Sequence, residues 1–133
     1  MNVMRNILAV VAGWFVGSLV NMGLVQLGHS IFPIEGIDPN DMEAFAAIIP
    51  TLEPKYFIFP FLAHALGTFA GAGLAAAISL NRKMMLAMIV GILFLAGGIV
   101  VNYMLPGPIW FAALDILIAY VPMAYLAAKL MQK

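Results

Sequence analysis

The sequence predicts an all-α fold, an integral membrane four-helix bundle forming one domain over residues 1–133, and three observations predict it. Residues of the set AVILMFWYC make up 65% of the chain and charged residues 9%, against about 45–50% and 25% in an ordinary soluble domain. A water-soluble fold of this length leaves roughly a third of its unfolded surface exposed, so lipid must be the solvent for much of this one. Second, four apolar runs stand out at residues 7–27, 57–80, 84–105 and 109–128, each close to the roughly 20 residues a helix needs to cross a bilayer. Third, Asn81-Arg82-Lys83 separates spans two and three, and Pro106-Gly107-Pro108 separates spans three and four. Such short links make spans two to four sequential antiparallel neighbours.

The first span follows Arg5. Its apolar stretch exceeds the 7–15 residues of a signal core and ends at Gln26 and Gly28 without a small-x-small cleavage pattern, so it reads as a retained anchor. The loop that follows, residues 29–56, is the one extramembrane piece of any size. It carries Glu35, Asp38, Asp41, Glu43 and Glu53 against Lys55, whereas Arg5, Arg82, Lys83, Lys129 and Lys133 fall on the other side. Cytoplasmic ends are the Lys/Arg-rich ones, which predicts cytoplasmic termini and an acidic outer loop. Within that loop, DPNDMEAFAAII reads as a short amphipathic helix with Asp38 as its cap and Pro39 at its first position. Met42, Phe45, Ala46 and Ile49 recur at helical spacing, and Pro50 and Pro54 end the segment. Its apolar face is expected on the membrane surface or across the mouth of the bundle, as plain loop closure or as a lid or docking site for a partner.

Spans two, three and four each carry one strongly polar side chain, as does span one. With the termini inside, Asn21 lies about 10 Å in from the outer end, His64 about 12 Å, Asp115 about 10 Å and Asn102 about 5 Å, at the helical rise. The faces agree with the depths. His64 shares a stripe with Pro60, Gly67, Thr68 and Gly71, Asn21 with Gly13, Gly17 and Gly28, Asn102 with Gly98 and Gly91, and Asp115 with Ala112, Ala119 and Pro122. Small residues let backbones approach, so these stripes mark packed faces. Gly13–Gly17 and Gly67–Gly71 are both G-x-x-x-G, a pattern that chance produces readily in so glycine-rich a chain. The expected intramembrane polar cluster is therefore His64, Asp115, Asn21, Asn102 and Thr68, with Gly13, Gly17, Gly67, Gly71 and Gly98 as helix-packing positions. A low dielectric disfavours either charge unless His64 and Asp115 pair. The competing account is that these groups only bond helices together, at about 0.6 kcal/mol per hydrogen bond on average.

Other chemistry is poorly supported. The chain has no cysteine and zero formal net charge, which removes disulfides and thiolate sites and argues against a nucleic-acid partner. His29 with Glu35, Asp38 and Asp41 is an outer-face metal candidate by ligand type, but no H-x-x-x-H or H-E-x-x-H spacing accompanies it, so no metal and no cofactor are expected. Ser18, Ser30, Thr51, Thr68 and Ser79 offer no nucleophile motif. The ten methionines are scattered as adaptable packing. Trp110, Tyr56, Tyr103 and Tyr125 lie toward span ends, as interfacial rings do, while Trp14 sits well inside span one. An internal echo relates GSLVNMGL to GIVVNYML and AGLAAAI to AYLAAKL; it would correspond to a parallel duplication.

EGIDPNDMEAF, EPKYFIFPFLAHALGTFAGA and LPGPIWFAALDILIAYVP together resemble small four-span bacterial inner-membrane proteins of uncharacterised activity. The resemblance covers most of the chain, is most specific in EPKYFIFPFLAHALGT, and implies architecture and location without a residue role. The expected function is that of a small non-enzymatic helix-packing or accessory subunit, associating with itself or with a larger membrane complex through its glycine-rich faces. The alternative is a proton-linked small transporter or channel subunit that uses His64 and Asp115.

Overall fold

The structure, a computed structural model, describes residues 2–38 and 40–132. It is all-helical, without a strand among the described residues: α1 (Asn2–Ile31), α2 (Met42–Ile48), α3 (Ile58–Ile78), α4 (Lys83–Met104), α5 (Ile109–Ile118) and α6 (Val121–Met131), with 3-10 turns at Ile49–Thr51 and Pro54–Phe57. Residues 3–31, 54–78, 83–104 and 109–131 form four stretches long and apolar enough to cross a membrane. The two ends of the bundle are called here the loop end, which carries residues 32–57, and the terminal end.

Helix α3 is central, with α1, α4 and α6 all packed on it. The register of α1 on α3 runs backwards along the chain, Gly28 meeting Phe59, Gly17 meeting Gly67 and Gly13 meeting Gly71, so these helices are antiparallel. Their backbones are nearly in contact. A Cβ on Gly17 would stand 2.5 Å from the carbonyl oxygen of Gly67 and 2.8 Å from the Phe94 ring, which α4 inserts at this crossing. The terminal end is closed by alanine: Ala72, Ala75 and Ala76 of α3 cluster with Ala9, Ala87, Ala124, Ala127 and Ala128. Side chains this short bring four backbones together and leave dispersion and close approach to hold them.

Two basic side chains finish the same end. Arg5 Nε donates to the carbonyl of Ile78 at 2.6 Å, and Lys83 Nζ donates to that of Ala76 at 3.0 Å. These belong to the last turn of α3, where carbonyls lack helical partners and the dipole favours positive charge. Ser79 Oγ accepts from the Arg82 backbone N–H, which tightens the link into α4.

Three expectations need correction. The loop helix begins at Met42, and its cap is Asp41, whose carboxylate accepts from the Ala44 N–H, in place of Asp38. Asp38 instead accepts from Asn40 N–H in a local turn, the competing use of an Asp side chain near a helix start; Pro39 lies outside the described residues, as does Lys133. The fourth span is not one helix but two, broken at Ala119 and Tyr120. Pro122 has no N–H to give Ile118, and its ring crowds that carbonyl. Finally, α1 runs well past residues 7–27 at both ends, to a length of about 45 Å.

Candidate functional site

Near the loop end, three helices aim polar side chains at one point. Asp115, on α5, is 0% exposed. Its Oδ1 lies 2.7 Å from His64 Nδ1 on α3, while its Oδ2 accepts from Asn102 Nδ2 on α4 at 3.2 Å and from the Tyr120 hydroxyl at 3.1 Å. The second hydrogen of the Asn102 amide goes to Gly98 O at 2.9 Å. The Tyr120 ring also stacks on the imidazole, with centroids 5.6 Å apart and planes 27° apart. Three donors from three elements thus surround one carboxyl group in a water-poor interior, where a charge left alone would cost several kcal/mol.

Local sequence explains the convergence. The break at Ala119 and Tyr120 turns the tyrosine back toward α3 and α4, and Gly98 provides the room: a Cβ there would lie 2.6 Å from Tyr120 Cε2. Gly91 does the same one level lower, where an added Cβ would stand 2.6 Å from that of Ala124. Tyr120 is the member of the site that sequence reasoning missed. Its signal was a hydroxyl in the middle of a span, two residues before a proline, far from the interfaces where tyrosine usually sits.

Of the remaining polar cluster, Thr68 is buried but bonds back to the His64 carbonyl at 2.7 Å and does not reach Asp115. Asn21 does not join. It lies on the α1 side of α3, against Gly67, and its Oδ1 is buried without a protein partner. The stripe that joined His64 and Thr68 to Gly67 and Gly71 therefore splits between two neighbours: the glycines face α1, and His64 faces α5 and the Tyr120 turn. His29, Glu35, Asp38 and Asp41 do not come together, and no group of three His, Asp or Glu suited to a metal ion occurs among the described residues. His29 instead packs edge-on to Phe45, with centroids 6.4 Å apart.

A cavity of about 230 Å³ opens beside the network. His64 and Asn102 line its inner part; Met42, Phe45, Ile49 and Leu52 from α2 and the turn after it cover it on the loop side. Around it stand Phe57, Phe111 and Ile49, packed with Phe45, Leu52, Phe61 and Leu105. The imidazole is thus held at Nδ1 by a buried carboxyl group while its edge remains 16% exposed beside the cavity. Chemically this is an oriented imidazole at the wall of a largely apolar chamber.

No protein-family model matches the chain, and comparisons with curated proteins and with solved structures give no match.

Proposed function

We propose that this chain is a multi-pass protein of a bacterial inner membrane, with both termini cytoplasmic, in which the His64–Asp115 pair is the proton-linked element of a small transporter or channel subunit. The observation that carries this reading is the 2.7 Å contact between His64 Nδ1 and a fully buried Asp115, with the same imidazole lining a cavity. Ionisable groups inside a membrane are costly and tend to mark ion or substrate paths. A pair of which one member, His64, faces a chamber can couple protonation to the packing of α3 against α5. The titratable groups facing His64 are few: Asp115 from α5 and Tyr120 from the break after it, with His29 of α1 and Tyr56 further around the cavity, and no Lys or Arg in its lining.

The packing-subunit reading rested on glycine faces left free for partners. Gly13, Gly17, Gly67 and Gly71 instead meet one another, and Gly98 meets Tyr120. Within the helices, Gly23 and Gly97 have open space around them and remain for a homo-oligomer or a larger complex, and four helices alone enclose little room for a path. Assembly thus accompanies the proton-linked role in this proposal and does not replace it.

The test is proton flux into vesicles reconstituted with the purified protein and loaded with a pH-sensitive dye. The wild type is expected to pass protons along an imposed gradient with a pH-dependent rate, and His64→Ala and Asp115→Asn are expected to abolish that dependence. Unchanged flux in both variants, with normal assembly, removes the proposal.

A further inference from the structure

Resting on that proton-linked reading, and naming what its chamber takes, we propose that the cavity beside His64 binds a ring-sized apolar molecule bearing one hydroxyl, a monocyclic phenol, whose O–H donates to Nε2 of His64.

The polarity of the head follows from the dyad. We assign this contact as Nδ1–H donating at 2.7 Å to an ionised Asp115, whose Oδ2 accepts from Asn102 and Tyr120; the neutral imidazole then presents Nε2 as an acceptor. Nε2 has no hydrogen-bond partner among the described residues, while the ring lines the cavity. A hydroxyl is the small neutral group that answers it. Asn102, also in the lining, has both amide hydrogens directed to Gly98 and Asp115, which leaves its carbonyl oxygen as a further acceptor.

Size and lining fix the rest. A cavity of about 150 Å³ holds benzene, and drug-sized pockets start near 300 Å³, so 230 Å³ suits one ring with a short substituent. The walls are Phe32, Phe45, Phe57, Phe59 and Phe111 with Val25, an aromatic box that favours a flat π-system in edge or offset contact. No Lys or Arg lines the space, so an anionic head would enter without a counter-charge. The loop side is formed by α2, whose Met42 and Phe45 roof the cavity.

The probe is 4-propylphenol, added to protein in lipid nanodiscs with 15N-labelled imidazoles. The described histidines are His29 and His64, and His29→Gln assigns the spectrum. The expected result is a saturable shift of the His64 Nε2 resonance, with Nδ1 little changed. Binding should weaken roughly tenfold for 4-propylanisole, which has no hydrogen to donate, as the loss of one hydrogen bond inside the cavity implies. Leu105→Phe and Val101→Phe, which narrow the chamber without replacing His64 or Asp115, should weaken it as well. No saturable shift, or an equal response to the anisole, overturns the inference. Failure here and failure of the parent reading are separable. Flux that depends on His64 without phenol binding removes the ligand and keeps proton linkage, whereas phenol binding to a protein with no flux does the reverse.

Discussion

The two ends of this bundle are built from different residues and behave as different materials. At the terminal end, alanines from α1, α3, α4 and α6 close the core, and Arg5 and Lys83 finish the last carbonyls of α3. At the loop end the fill is aromatic, with Phe57 and Phe111 at a centroid distance of 4.7 Å, and the interior holds a carboxyl group, an imidazole, an amide and a phenol beside a cavity. Small residues interlock closely because their short side chains let the backbones approach. Rings on four elements cannot tile a volume so completely, and the unfilled remainder is where a ligand or water finds space. The lesson is a division of labour along the helix axis, one end fixing the helices and the other leaving His64 something to face.

The largest effect should come from breaking the polar end. His64→Leu leaves Asp115 buried with its strongest partner gone, and a loss of about 3–5 kcal/mol is expected, measured by SDS-induced unfolding in mixed micelles against Asp115→Asn and the double variant. A double variant less destabilised than the sum of the two shows the direct coupling. Next comes the closed end. Gly17→Val drives a side chain into the Gly67 carbonyl and the Phe94 ring and should cost about 1–3 kcal/mol by the same assay, leaving the pH dependence of flux in place if the protein folds.

Much of the polar end was legible in the sequence. His64, Asp115 and Asn102 stand out because ionisable and amide side chains are rare in apolar spans, and the helical rise alone puts them near one level. Asn21 has the matching depth, yet rise says nothing of azimuth, and α1 packs on the flank of α3 that carries Gly67 and Gly71. Tyr120 was hidden for a related reason. On an unbroken helix it would point about 140° away from Asp115; only the interruption before Pro122 brings its hydroxyl to Oδ2. The cavity was not legible because it exists only where the loop segment folds over α3 and α4, a long-range arrangement that periodicity does not encode. The glycine pattern at 13, 17, 67 and 71 was visible, but nothing in it distinguished a contact within one chain from a contact between chains.

Smaller changes sharpen the comparison further. Tyr120→Phe removes one donor from Oδ2 and keeps the ring stacked on His64, so a loss of about 0.6–1.7 kcal/mol is expected, measured by the same SDS-induced unfolding. An unchanged stability would show that the hydroxyl contributes nothing to holding the carboxyl group. Smallest of all, Gly97→Ala adds a methyl group where no atom lies within 4 Å and should change the stability of the single chain by under about 0.5 kcal/mol. If it instead lowers the mass of the assembled particle in gentle detergent, that face of α4 is a contact between copies.

The central claim is that the imidazole on α3 and the carboxyl group on α5 hold each other inside the bundle. Magic-angle-spinning NMR of the protein in lipid bilayers, with 15N in histidine and 13C in aspartate, measures it directly. A strong dipolar coupling between His64 Nδ1 and Asp115 Cγ, lost in Asp115→Asn and absent from His29, is the predicted result. A spectrum in which neither histidine couples to Asp115 would contradict it.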